Sequence, residues 1–244
     1  MTTNIHALSF DAHDPADLAR FWAGVLEWDV VDDPQVDHPG GATIVPNDHT
    51  GFRIWFLPTD AAKTGSNQLH FDVTSSSDQD QDETVARALA LGGRHIDIGQ
   101  DPDDGHVVLA DPEGNEFCVI EATNNFLAGC PKIGALSSDG LQLVGYFWSE
   151  ALGWPLVWDQ DEETAIQAPE GGPKISWGGP PVAEKTGKNR QHLDVAPPPD
   201  GDQDAEVERL LALGATRAES GSGDPSRVEL LDPAGNEFCV LSPR

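Results

Sequence analysis

Basic residues are scarce in this chain of 244 residues: 14 Lys and Arg stand against 42 Asp and Glu, a formal net charge of −28. A field of that sign repels polyanions, which excludes nucleic acid and anionic membrane surfaces as partners. It reads first as a device for solubility and, at long range, it favours a cationic ligand. Cysteine is also rare. Cys118, Cys130 and Cys239 are too few for a disulfide scaffold, so a reducing, cytoplasmic setting is expected. No apolar run approaches the length of a membrane span, and the opening "MTTNIHALSF" lacks the basic segment and apolar stretch of an export signal. What remains is ordinary for a folded protein, with 38% hydrophobic residues.

What the chain has in abundance is self-similarity. "DPEGNEFCVI", Asp111 to Ile120, returns as "DPAGNEFCVL", Asp232 to Leu241. "NQLHFDV" (Asn67 to Val73) pairs with "NRQHLDV" (Asn189 to Val195), and "DETVARALALGG" pairs with "DAEVERLLALGA". Phe21-Trp22 likewise matches Phe147-Trp148. The register between the halves drifts only between 126 and 121 residues, so small loop insertions separate two tandem copies. Their boundaries fall at 1–122 and 132–244, with a linker at about 123–131.

Each copy divides again. Asp14-Pro15 is an N-cap followed by proline at the first helical position, and Leu18, Phe21, Trp22, Val25 and Leu26 fall on one helical stripe. The short β-like pieces "WDVVDD", "ATIVP" and "FRIWFLP" follow, then the alternating "QLHFDV". A second helix places Val85, Ala88 and Leu89 on one face and ends at Gly92-Gly93. The acidic string "DQDQDE", Asp78 to Glu83, reads as a solvated loop before that helix, with Asp82 as its cap; it lacks the glycine and final glutamate of a calcium loop. Three more strands close the copy. The result is an α+β protein of four βαβββ modules, in which Asp111, Gly114 and Asn115, with Asp232, Gly235 and Asn236, make tight turns into each copy's last strand.

This order, with "FWAGVLEW" and "FWSEALGW" as first helices and Asp-Pro-x-Gly before the last strand, resembles the vicinal oxygen chelate superfamily of glyoxalase I, bleomycin-resistance proteins and extradiol dioxygenases. The chain is similar to a tandem glyoxalase-like protein over nearly its whole length. The resemblance implies cup-shaped mixed sheets and, in metal-dependent members, a divalent ion held in the cup by first-strand and last-strand side chains. Matched position by position, the family's histidine falls on His70 and His192. Its last-strand glutamate falls on Cys118 and Cys239, a departure from the metal-binding pattern. Ala7 and Ile133 stand near the first-strand ligand position, with His6 and Lys132 one residue away.

One histidine and one cysteine per copy fall short of a two-histidine, one-carboxylate set, so the inherited metal site reads as degraded. Strand alternation adds neighbours: Asp72 shares a face with His70, and Glu116 with Cys118, and the second copy repeats this with Asp194, His192, Glu237 and Cys239. Trp55 and Trp177, each 15 residues before its histidine, are candidate cup-lining aromatics, or else pack against a helix. Read as structure alone, His70 and His192 are buried histidines bonded to the aspartates two residues on or to backbone, and the two cysteines are small buried strand residues. The function expected is small-molecule binding, such as sequestration of a drug or metabolite, by a monomer or homodimer with no required cofactor. The alternative is a lyase, isomerase or dioxygenase using a divalent metal ion, for which His70, Glu116, His192 and Glu237 are candidate ligands.

Overall fold

The computed structural model of the chain describes residues 3–33, 39–101, 104–219 and 226–244. Four modules follow one another. The first is β1 (Asn4–Ala12), α1 (Pro15–Leu26), β2 (Asp29–Val31), β3 (Ala42–Val45) and β4 (Arg53–Pro58). The second is β5 (Leu69–Val73), α2 (Asp78–Ala90), β6 (Arg94–His95), β7 (Val107–Ala110) and β8 (Glu116–Val119). In the second copy come β9 (Ile133–Ser138), α3 (Gln142–Leu152), β10 (Leu156–Gln160), β11 (Glu163–Gln167) and β12 (Lys174–Trp177). The chain closes with β13 (Gln191–Ala196), α4 (Gln203–Leu213), β14 (Thr216–Arg217), β15 (Arg227–Leu231) and β16 (Glu237–Leu241).

The modules pair across the two copies. One eight-stranded sheet runs β14-β15-β16-β13-β1-β4-β3-β2, and the other runs β10-β11-β12-β9-β5-β8-β7-β6. Module one therefore joins module four through the antiparallel pair β1 and β13, and module two joins module three through β5 and β9. Parallel neighbours such as β1 with β4 and β5 with β8 make both sheets mixed. The second copy supplies the partner that each module of the first needs, so both sheets are completed within one chain.

Helices cover one face of each sheet. Asp14 caps α1 by accepting from the Asp17 amide, and Leu18, Phe21, Trp22, Val25 and Leu26 are all buried, as their spacing predicts. Trp22 packs edge-on against Phe71 and Phe117, each with ring centroids 4.9 Å away, and its Nε1 donates to Asp111 at 3.2 Å. The second copy repeats the arrangement with Trp148, Phe238 and Asp232. The Asp-Pro-x-Gly-Asn turn is thus hooked to the first helix of its own copy. Asp111 Oδ1 accepts from the Glu113 and Asn115 amides, and Gly114 takes φ +88°, a left-handed conformation that suits glycine.

Two local expectations are overturned. The string Asp78 to Glu83 is the start of α2, not a loop: Ser77, rather than Asp82, caps the helix by accepting from the Asp80 amide. Its acidic side chains lie where the helix N-terminus carries partial positive charge, which favours helix there. Leu89 is not on the packed face. α2 turns Thr84 and Ala88 inward with Val85 partly covered, and Leu89 is 38% exposed.

Candidate functional site

On each sheet, alternation sends one set of side chains to the helices and the other to the helix-free face. On β5 that face receives His70 and Asp72, and β8 runs parallel with Cys118 level with Asp72. Ligand atoms of His70, Asp72 and Cys118 all lie within 4.8 Å of one another. From the partner module β9 places Ser137 opposite His70; its Oγ donates to Asp72 at 2.5 Å and lies 3.2 Å from Ser176 Oγ on β12. His70 Nε2 is 3.4 Å from Asp72 Oδ1, and the His70 side chain is 36% exposed. Burial disfavours the charge on His70, but hydrogen bonding and Coulombic attraction from Asp72 and Cys118 outweigh it and push its pKa up to about 10. Solvent at the exposed part of the ring screens that attraction.

The linker forms one wall of this cup. Leu127 packs with Val108, Cys118, Ile120 and Ala135, and Lys174 on β12 donates to the Phe126 carbonyl. Asp139, at the end of β9, lies within the field of His70; burial raises its carboxyl above the usual range and His70 opposes the rise.

The second cluster repeats the triad and closes it. His192, Asp194 and Cys239 again lie within 4.8 Å, and Ser9 on β1 donates to Asp194. Here the His192 side chain is 4% exposed and Asp194 is fully buried. Arg227 on β15 enters the cluster: its Nη2 reaches the Asp194 oxygens at 3.0 and 3.2 Å and Cys239 Sγ at 3.6 Å. Burial, together with the charges of Lys188 and Arg227, lowers the His192 pKa well below 6.5, so this ring is neutral. Its Nδ1 is buried with no hydrogen-bond partner among the described residues. Burial and the negative field of Asp194 push the Cys239 thiol up.

Trp55 belongs to this second cup. It sits beside Ser9 on the parallel pair β1 and β4, buried with Ala7 and Cys239, and its Nε1 donates to Asp33 at 3.1 Å. Arg227 and Arg244 hold their guanidinium carbons 5.9 and 5.8 Å from its ring. His6, at an irregularity in β1, tilts against the same ring at 5.4 Å.

Trp177 does not line a cup. The residue level with Ser137 is Ser176, so Trp177 points to the other face and packs in the core against Gly145 of α3. The matching 15-residue spacing misleads because the second copy has one more residue between this strand and the next. Glu116 and Glu237 are not brought to the clusters either. Glu116 accepts from Lys63 Nζ at 2.8 Å and from the Asn67 amide, and Glu237 accepts from Lys185 Nζ at 2.6 Å and from the Asn189 amide. Two residues along a strand is about 7 Å, and lysines from the preceding loops occupy both carboxylates. Lys132, near the expected first-strand position, pairs instead with Asp80.

Ser137, Ser176, Ser9 and Arg227 escaped the sequence reading. Alternation places each serine on a face, but only the pairing of modules across copies says which histidine it meets. Arg227 reaches Asp194 from a different strand, with no local spacing to announce it.

A divalent ion fits the first cluster and not the second. The imidazole, carboxylate and thiol around His70 make a donor set suited to a borderline transition ion, with an exposed side for a further ligand. Around His192 the Arg227 guanidinium already occupies both Asp194 and Cys239, and its charge opposes a metal ion.

A glyoxalase-like domain family matches the chain twice, at residues 7–120 and 135–241. Glyoxalase I from Zea mays has a similar structure, with TM-score 0.67 and 14% identity, covering 99% of this chain and 92% of the plant chain. Its V278E mutant aligns with TM-score 0.65 and 15% identity over the same shares. A putative dioxygenase from Bacillus subtilis subsp. subtilis str. 168 aligns with TM-score 0.61 and 15% identity, covering 99% of this chain and 85% of that one. At this identity the likeness concerns the fold alone. No curated protein sequence matches.

Proposed function

The chain belongs to the glyoxalase-like family of the vicinal oxygen chelate superfamily, and we propose that it binds a small oxygen-bearing organic molecule in the cup around His70. One observation carries this reading: of two equivalent clusters, the one at His70 is open to solvent, while the one at His192 is closed by Arg227. The His70 imidazolium donates to a ligand oxygen, Ser137, whose proton goes to Asp72, offers an acceptor oxygen beside the Ser176 hydroxyl, and Leu127 and Val108 give the apolar wall. The acidic surface concentrates cationic solutes, so a ligand carrying both a basic group and a carbonyl or hydroxyl oxygen suits the whole molecule. Sequestration of a drug or metabolite follows from binding alone and needs no catalytic group.

The donor set supports a second reading. His70, Asp72 and Cys118 would hold a divalent transition ion, which when bound supplies Lewis-acid polarisation of a substrate's paired oxygens. The chain's own part is to orient the substrate with Ser137 and Ser176 and to give up the His70 proton on loading.

Equilibrium dialysis against a panel of basic aromatic antibiotics and small hydroxycarbonyl compounds, with elemental analysis of the untagged protein, separates the two. Saturable binding by metal-free protein that is lost in His70→Ala supports the first reading. Stoichiometric metal with no binding by the metal-free protein overturns it in favour of the second.

A further inference from the structure

The loops entering β5 and β13 share another string: Lys63-Thr64-Gly65-Ser66-Asn67 against Lys185-Thr186-Gly187-Lys188-Asn189. They meet about a local two-fold axis. Thr186 Oγ1 donates to the Thr64 carbonyl at 3.4 Å; a Cβ on Gly65 would lie 2.7 Å from Thr186 Oγ1, and one on Gly187 would lie 2.9 Å from Thr64 Oγ1. Each glycine faces the other loop's threonine, so a side chain at either would push the loops apart. Between them lies a cavity of about 250 Å³ lined by Lys63, Lys185, Lys188 and Arg190, with Asn67, Asn189 and Asp11.

Four of the chain's 14 basic residues thus face one cavity in a protein of net charge −28. Lys63 and Lys185 each face one carboxylate, from Glu116 and Glu237, while Lys188 pairs with Asp11 and also lies in the field of Glu229. Arg190 has no carboxylate partner among the described residues: its guanidinium donates to the carbonyls of Asp11 and Ala61 and to His13 Nε2. Donors remain unspent as well. An ammonium has three N–H groups; Lys63 and Lys185 each use two on protein acceptors, and Lys188, half exposed, uses one. Among the described residues, the amides of Thr64, Gly65, Thr186 and Gly187 make no hydrogen bond within the protein.

We propose that this cavity, distinct from the His70 cluster and bordering the closed His192 cluster through Lys188, binds a small multivalent oxyanion of the phosphate or polycarboxylate class. Clustered cationic side chains and spare N–H groups from two symmetric loops match a compact anion with oxygens on opposite sides. The two-fold arrangement sets the stoichiometry at one anion per chain.

Titration calorimetry of inorganic pyrophosphate into the full-length protein, at ionic strength held constant with chloride, tests this. The expected result is one saturable site per chain, weakened at least tenfold in Lys188→Gln and in Gly187→Ala. Arg217→Gln, which removes from β14 a charge that forms an exposed pair with Glu208 of α4, leaves the isotherm unchanged. Citrate in place of pyrophosphate separates polycarboxylates from phosphates within the same class. No saturable heat with either anion overturns the proposal, as does equal weakening in Lys188→Gln and Arg217→Gln, which would mean only long-range charge.

Discussion

The cups built on β5 and β13 carry histidine, aspartate and cysteine in the same register, yet they place their positive charge on different side chains. In the first, His70 is itself the cation beside Asp72, and water reaches it. In the second, Arg227 supplies the charge from a neighbouring strand, His192 is neutral and the cluster is sealed. A buried carboxylate needs one opposite charge, and once a permanent guanidinium provides it the histidine has no reason to hold a proton. An arginine at one position thus separates an open, titratable site from a closed one in two copies of one motif.

The largest expected effect comes from breaking the closed cup. Arg227→Ala leaves Asp194 buried and unpaired, and should lower stability by about 3–5 kcal/mol in urea unfolding. His70→Ala, which removes a partly exposed partner, should cost ~1 kcal/mol or less. Similar losses for the two variants would erase the distinction.

Metal loading sharpens the contrast next. Cobalt titration of the reduced protein should load at most one equivalent, with a thiolate charge-transfer band that Cys118→Ser abolishes and Cys239→Ser keeps. A band surviving in Cys118→Ser but lost in Cys239→Ser would reverse the assignment.

The pH response should have opposite signs in the two cups. His70, raised from 6.5 to about 10, contributes stability that is full below pH 6.5 and is lost as pH climbs through 10. His192, lowered from 6.5, contributes stability present above that value and lost as pH falls below it. Imidazole NMR on metal-free protein at pH 8 should find His70 protonated and His192 neutral. The smallest effect is expected in the glutamate pins: Lys63→Met and Lys185→Met remove partly exposed ion pairs and should cost roughly 0.5 kcal/mol each.

Much of this fold was legible because its signals are local. The Asp14 cap, the stripe from Leu18 to Leu26 and the Asp111 and Asp232 turns depend on residues a few positions apart, and each forms as read. Readings failed where a neighbour distant in sequence decided the outcome. Leu89 suits a helical stripe, but α2 turns Thr84 and Ala88 inward instead. Trp177 sits on the helix side because a single added residue flips a strand's faces, a difference that spacing to a histidine across a loop conceals. Glu116 shares alternation with Cys118, but Lys63 claims its carboxylate.

By itself, then, the sequence determined the repeat, the module order and the presence of one histidine, aspartate and cysteine in each copy, because periodicity and turn chemistry act over short separations. Only the tertiary structure decided that modules pair between copies, that Ser137 and Ser9 complete the clusters, and that Arg227 closes one of them. Those outcomes depend on which strand edges meet and which charges become buried together, and neither is encoded in the spacing along the chain.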